Sequence, residues 1–362
     1  MTVKTAIGLM SGTSMDGIDA AILSTDGHRI ETLGPALTLP YDGDFRARLR
    51  GAMAAPEGAD IAAVAHELTQ RHAEAVARLL IESGMAAEEI DVVGFHGQTI
   101  LHQPAQGRPG IGRTLQIGDG ELLARLTGIP VVNDFRSADV AAGGEGAPFA
   151  PAYHAALTVH LGRPVAMLNL GGVGNVTWIG GETDLLAFDT GPGNALIDDW
   201  MHRHTGAACD EDGRLAAQGM VDRVRIDTVL EGPYFQRKPP KSLDRGDFSA
   251  TLAEGLSLED GAATLTALTV ASVAKAADWF PQPVLRWIVT GGGRRNPVIM
   301  AGLRAALGVP VQTSEELGWD GDALEAHAFA YLAVRSLAGL PLSFPGTTGI
   351  PHPLPGGVLH QP

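Results

Sequence analysis

The chain has 362 residues, of which 45% are hydrophobic and 19% charged, a balance that excludes a stapled mini-protein and wholesale disorder and leaves material for two domains or one large α/β body. Forty-one Asp and Glu against 26 Lys and Arg give a net charge of −15, with only four lysines (Lys4, Lys238, Lys241, Lys275), which disfavours a general binder of nucleic acid or anionic membranes, so that any phosphate must be held locally. One cysteine, Cys209, forms no internal disulfide; the apolar run after Met1 is too short for a secretion signal, and no stretch approaches the roughly 18 apolar residues of a membrane span, so a soluble, cytoplasmic protein is expected.

Glycine (47) and proline (23) cluster in short knots rather than in a low-complexity tract, so the turns carry information. Residues 2–25 predict two apolar strands, TAIGLM and GIDAAIL, joined by the polar turn Ser11-Gly12-Thr13-Ser14-Met15-Asp16. From Asp60 to Ser83, Ile61, Val64, Leu68, Val76, Leu79 and Leu80 fall on one helical stripe, with Asp60 as N-cap and Gly84 as stop. His72 lies on that stripe and His66 off it, so the two cannot share a metal face. IDVVGFH, RTLQI and GIPVVNDF read as strands and Glu121–Leu126 as a helix, an α/β alternation. A second strand-turn-strand, PVAMLNL then Gly171-Gly172-Val173-Gly174-Asn175 then VTWI, echoes the first and marks an internal duplication. Helices follow over 193–205 and 262–279, then the strand LRWIVT, the knot Gly291-Gly292-Gly293 and a last helix over 322–337. Residues 231–247 (EGPYFQRKPPKSLDRGD) read as a long surface loop, either a connector or a functional one, and the Pro- and Gly-rich end as a tail, ordered or frayed.

Several familiar signatures come close and fail. There is no Walker A lysine loop; Gly12 to Gly17 is one residue too long for a nucleophile elbow; and Gly191-Pro192-Gly193 is followed by Leu196 where a dinucleotide fingerprint needs Gly or Ala. What remains is four glycine-bearing turns at predicted strand ends. In the first, Ser11 to Thr13 can aim N–H groups and hydroxyls at a nucleotide's phosphates and Asp16 can hold a hydrated magnesium ion, or Ser and Asp merely close the turn. The second, Gly171 to Asn175, carries the same two readings, and its repetition strengthens the phosphate one. In the third, Asp189 after the run LLAF is placed to act as a general base or to cap the next helix, a task Thr190 or Asn194 can also perform. The fourth, with Arg294 and Arg295 beside three glycines, fits a nucleotide's adenine or ribose.

The blocks GLMSGTSMDGIDAA, GFHGQT, LQIGDG, VNDFRSADVAAGGEGAP, NLGGVGN, FDTGPGNALID, VTGGGRRNP and DALEAHAFA run from Gly8 to Ala330, and together they resemble the anhydro-N-acetylmuramic acid kinase family. The resemblance implies the two-domain α/β fold of the sugar kinase, heat-shock chaperone and actin superfamily (ribonuclease H-like halves), with ATP in an interdomain cleft. We accordingly expect domains at 1–133 and 134–345 with a tail at 346–362. It also implies ATP with Mg2+, a homodimer, and a reaction that opens the 1,6-anhydro ring of 1,6-anhydro-N-acetylmuramic acid with water while phosphorylating O6, in cell-wall recycling. Residue by residue, Gly12, Thr13, Ser14, Met15, Asp16, Gly17, Ile18 and Asp19 would form the first phosphate loop, Gly171, Gly172 and Asn175 the second, and Gly291, Gly292, Gly293 and Asn296 the adenosine-side turn. Asp189 would be the base, and Gln98, Thr99, Arg136 and Glu325 would recognise the sugar.

Two departures from the family pattern stand out. Glu145 occupies the place of a glutamine in Gly-Gly-Gln-Gly-Ala-Pro, and Lys241-Ser242-Leu243-Asp244-Arg245-Gly246 replaces Lys-Ser-Thr-Gly-Arg-Glu. Both bear on fine specificity or loop closure more than on reaction class. Two rival functions stay open at this level: an ordinary sugar kinase of the same superfamily that consumes no water, and a nucleotide-driven ATPase that phosphorylates no sugar.

Overall fold

The computed structural model describes residues 2–58, 60–104 and 110–362. In chain order the elements are β1 (Lys4–Ser11), β2 (Gly17–Thr25), β3 (Ile30–Pro40), α1 (Gly43–Ala54), α2 (Ile61–Ser83), β4 (Val92–Gln103), β5 (Arg113–Ile117), α3 (Gly120–Thr127), β6 (Val131–Asn133), α4 (Ser137–Ala141) and α5 (Ala150–Leu157). There follow β7 (Val165–Leu170), β8 (Val173–Ile179), β9 (Leu185–Pro192), α6 (Ala195–Thr205), α7 (Arg223–Leu230), α8 (Pro233–Gln236), α9 (Leu258–Ala276), β10 (Trp287–Thr290), α10 (Pro297–Leu307) and β11 (Val311–Thr313). The chain closes with α11 (Leu324–Leu337), α12 (Pro345–Thr348) and β12 (Val358–His360).

The expected duplication is present in the topology. One sheet orders its strands β3-β2-β1-β4-β6 and the other β9-β8-β7-β10-β11. In each, a three-strand antiparallel meander is followed, after helices, by two strands parallel to its first strand. Parallel pairing demands such helical crossovers. The first sheet also carries β5 on β4 and β12 antiparallel on β6.

The chain divides into two compact units, Met1–Val159 with Ala323–Pro362, and His160–Asp322. These limits differ from the expected 1–133, 134–345 and 346–362. Helix α11 returns to the first sheet, where paired Gly8 and Gly94 of β1 and β4 let its backbone lie directly on the strands. The tail is ordered: β12 pairs with β6, His360 Nε2 meets Asn133 Oδ1 at 2.9 Å, and Ser336 Oγ donates to the Gly356 carbonyl. Hydropathy marks a helix's apolar face but not which sheet receives it.

In the first unit, Ile7, Leu9, Phe95 and Val131 of the sheet pack with Leu68, Val76 and Leu79 of α2. His72 is buried on that stripe and His66 exposed, as the periodicity predicts. Gly84 adopts φ 71° and closes α2, whereas Asp60 makes no side-chain cap bond. In the second unit, Trp178, Trp200, Trp287, Leu265 and Leu268 form the centre of the core. Among the described residues, no helix is long and apolar enough to cross a membrane.

Candidate active site

The turn between β1 and β2 is shaped from below. Met15 N–H bonds the Gly12 carbonyl at 3.1 Å, Met15 takes φ 54°, and Ser14 Oγ donates to Asp16 Oδ1 at 2.8 Å. Beneath it, buried Ser11 donates to Gln98 Oε1 at 2.7 Å and accepts from Tyr41 at 2.8 Å. Thr13, Ser14 and Asp16 are exposed, whereas Gly17 and Ile18 are buried and fix the turn to the sheet. Asp19 accepts from Thr38 Oγ1 at 2.6 Å. A Cβ on Gly12 would meet nothing nearer than 3.6 Å, so this glycine leaves bare backbone at the surface rather than room for a packing neighbour.

Of the four expected sugar residues, Gln98 is fully buried, its carbonyl engaged by Ser11 and its amide donating to the Thr99 carbonyl. It braces the turn. Thr99 is half-buried and its Oγ1 accepts from Gln116. Arg136 donates through Nη1 to the Gly146 carbonyl at 2.9 Å and through Nη2 to His96 Nε2 at 3.0 Å. The Nδ1–H of His96 donates to the Gly97 carbonyl, and its ring lies 4.6 Å from that of Phe329. Burial, with the charge of Arg136, holds His96 neutral well below the usual imidazole value. Burial brings Arg136 down to about 10 despite Glu325 and Asp139. Among the described residues no carboxylate lies in ion-pair contact with Arg136, which leaves a cation suited to an anionic ligand. Glu325, the second residue of α11, is pushed up by the surrounding protein and by Asp19 against the pull of Arg136. Glu325 thus interacts electrostatically with both Arg136 and Asp19.

In the second unit the turn between β7 and β8 is locked onto the start of α6. The Gly171 carbonyl accepts from Asn194 N–H at 2.8 Å, and the Gly172 carbonyl from Gly193 and Ala195. A Cβ on Gly193 would sit 2.2 Å from the Gly171 oxygen, whereas one on Gly171 or Gly172 would meet nothing nearer than 3.6 Å. With their carbonyls turned to the helix, these two glycines again present bare backbone. Asn194 donates to the Leu170 carbonyl instead of capping α6.

Asp189 lies near the end of β9, opposite Asn175 of β8 on the same face of the hairpin. It caps no helix. Its Oδ2 accepts from Leu243 N–H at 2.7 Å, and among the described residues no partner engages Oδ1. Burial pushes its carboxyl up to about 7, aided by the like charge of Asp244 and opposed by the Leu243 hydrogen bond. The folded value lies above the unfolded one, so the stability Asp189 contributes is full below the ordinary carboxyl range and is lost as pH rises through about 7. If the ionised form is the reactive one, kcat rises with pH through about 7, and Asp244→Asn moves that limb to lower pH by removing the like charge. A pH–rate profile of both proteins checks the sign.

The fourth turn departs from one expectation. Gly291 (φ 73°) and Gly293 are packed against Asn169 and Leu170, while a Cβ on Gly292 would meet nothing nearer than Asn194 Nδ2 at 3.6 Å. Arg294 is buried, with Nε on Glu315, Nη2 on Asp322 and Nη1 donating to the Gly291 carbonyl at 3.0 Å; Arg295 also pairs with Asp322. Arg294 therefore holds the turn's backbone, and Arg295 is paired with the same carboxylate, Asp322. Asn296 Oδ1 caps α10, accepting from Val298 and Ile299 N–H.

The sequence profile described as anhydro-N-acetylmuramic acid kinase matches residues 4–361. The chain belongs to this family. An anhydro-N-acetylmuramic acid kinase of Rhodospirillum rubrum is 59% identical over 357 residues, covering 98% of this chain and 93% of the relative. One from Paramagnetospirillum magneticum is 56% identical, covering 99% of each. Among solved structures, component A of the Acidaminococcus fermentans (R)-2-hydroxyglutaryl-CoA dehydratase has a TM-score of 0.50 at 13% identity, covering 92% of this chain and 99% of that one, a likeness of fold alone. Membership of the family makes the protein a kinase.

Sequence reasoning overlooked His96, although the block GFHGQT holds it, and the residues of 231–247 that touch Asp189. An imidazole that meets an arginine forty positions away leaves no spacing signal.

Proposed function

We propose that this kinase converts 1,6-anhydro-N-acetylmuramic acid, ATP and water into N-acetylmuramic acid 6-phosphate and ADP, a step in cell-wall recycling. The observation that carries the reading is Asp189, a half-buried carboxylate with one oxygen fixed, the other unengaged among the described residues, and a proton affinity near neutrality. Its Oδ1 takes a proton from water as the water oxygen bonds to the anomeric carbon. The bond from that carbon to O6 breaks, and O6 bonds to the γ-phosphorus as ADP leaves. The rest of the catalysis is positioning and charge stabilisation.

The open-faced glycines support ATP binding: Gly12 with Thr13 and Ser14, and Gly171 with Gly172, offer N–H groups and hydroxyls to phosphate oxygens, and Gly292 a flat backbone to the nucleoside. Exposed Asp16 fits an outer contact to Mg2+, which would neutralise charge on the β- and γ-phosphates. Arg136, Glu325 and Thr99 suit the sugar's anionic and hydroxyl groups, and Gln98 acts through Ser11 from beneath the turn.

Turnover in heavy-oxygen water with magnesium ATP and the anhydro sugar, followed by mass measurement, tests the reaction. One heavy oxygen in the sugar 6-phosphate is expected. Unlabelled product, or ATP consumed with no phosphorylated sugar, removes the coupled water attack. Separately, a Cβ at Gly12 meets nothing nearer than 3.6 Å, so Gly12→Val is expected to weaken ATP affinity by crowding the phosphates at little change in thermal stability, checked by nucleotide titration and a melting curve.

A further inference from the structure

The segment expected as a surface loop turns back along β9 and spends three hydrogen bonds on one residue. Tyr234 Oη donates to the backbone carbonyl of Asp189 at 2.5 Å, the Lys241 carbonyl accepts from Asp189 N–H at 3.0 Å, and Leu243 N–H donates to Oδ2 at 2.7 Å. β9 is an edge strand of its sheet, so the first two bonds satisfy main-chain groups that the sheet leaves unpaired. Farther on, Arg245 ties the segment to Asp199 of α6 at 2.9 Å.

The anchor of this segment is a buried cation. Lys241 is 5% exposed, and its ammonium lies 4.5 Å from the ring centre of Tyr234, 5.5 Å from Trp279 and 5.8 Å from Phe188. It donates to the Tyr234 carbonyl at 3.1 Å, and among the described residues no carboxylate pairs with it. Burial, with Arg237 and Lys275 nearby, brings it down to about 8. A desolvated ammonium without a counter-charge is held by ring faces and a carbonyl, and two of those contacts belong to Tyr234, the residue whose hydroxyl grips Asp189.

We propose that Tyr234 and Lys241 are positioning residues for Asp189: the cation–aromatic latch presses the 233–244 strap onto β9, and the strap holds the carboxylate with Oδ2 engaged and Oδ1 presented. This rests on Asp189 being the general base. The groups facing the carboxylate are Asp244, Leu243 N–H and Tyr234 on the strap and uncharged Asn175 on β8, so the strap supplies nearly all of its polar surroundings.

The test is a set of variants of the full chain assayed with magnesium ATP and the anhydro sugar. Tyr234→Phe and Lys241→Met are expected to lower kcat about tenfold with KM for ATP unchanged, since small misplacements of a base are expensive in rate. Lys241→Arg, which can stack on the rings and donate to the same carbonyl, is expected to return kcat to within about threefold of the parent. Combined with Asp189→Asn, neither strap variant should reduce the residual rate further, because each acts through Asp189. Losses that multiply in the double variants, an arginine as poor as methionine, or parental kcat in Tyr234→Phe overturns the proposal. Should Lys241→Met not fold, Tyr234→Phe, which removes one hydroxyl, still decides. Near-parental turnover in Asp189→Asn alone would instead remove the base assignment, an outcome distinct from failure of the strap.

Discussion

Asp189→Asn is expected to lower kcat by roughly 10²–10⁴-fold, the contribution of a positioned base, while ATP affinity and fold are preserved. The asparagine carbonyl can still accept from Leu243 N–H, and the main-chain bonds to Tyr234 and Lys241 do not involve the side chain. Because burial already disfavours the ionised carboxyl, a neutral amide relieves an unfavourable charge at pH above about 7, so thermal stability there should hold or rise. Steady-state kinetics and a melting curve on one preparation separate the two effects. An active variant, or an inactive one that has also lost its fold, defeats the expectation.

Gly8→Ala is expected to destabilise the first unit by about 1–3 kcal/mol or more, the range for overpacking a close contact. A Cβ at Gly8 would lie 1.8 Å from the Ala326 carbonyl oxygen and 2.5 Å from Ala330 N, both in the backbone of α11. Its neighbour in register, Gly94, stands 2.1 Å from the Phe329 oxygen on the same measure. A helix backbone has no rotamer to yield, so α11 must lift. Glu325 rides on the first turn of that helix, and the same substitution should therefore raise KM for the sugar. Denaturant unfolding gives the first quantity and initial rates the second; a parental unfolding midpoint would show that the helix shifts at little cost.

The paired hairpins were legible because each joins two apolar runs through glycine, and Asp189 because a lone carboxylate follows LLAF just before a helix. Helix α2 was legible from its stripe and the left-handed Gly84. What escaped depends on partners distant along the chain. The return of α11 to β1 spans more than three hundred residues, and the strap meets Asp189 some fifty positions away through one tyrosine hydroxyl and two backbone groups that any residue type supplies. Arg294 shows the converse failure: an arginine among glycines suggests a ligand, but its carboxylate partners Glu315 and Asp322 lie beyond the next helix. Composition does not distinguish a cation awaiting an anion from one already matched.

The discontinuity of the first unit bears on the order in which the molecule is made. Residues 160–322 form one uninterrupted stretch, whereas the sheet begun by β1 lacks α11 and β12 until residues 323–362 have been synthesised. The second unit can therefore complete its core on the ribosome while the first, translated earlier, still exposes the bare strip at Gly8 and Gly94. The unit whose strands are made earlier is thus completed later, by a helix encoded after the whole of the second unit.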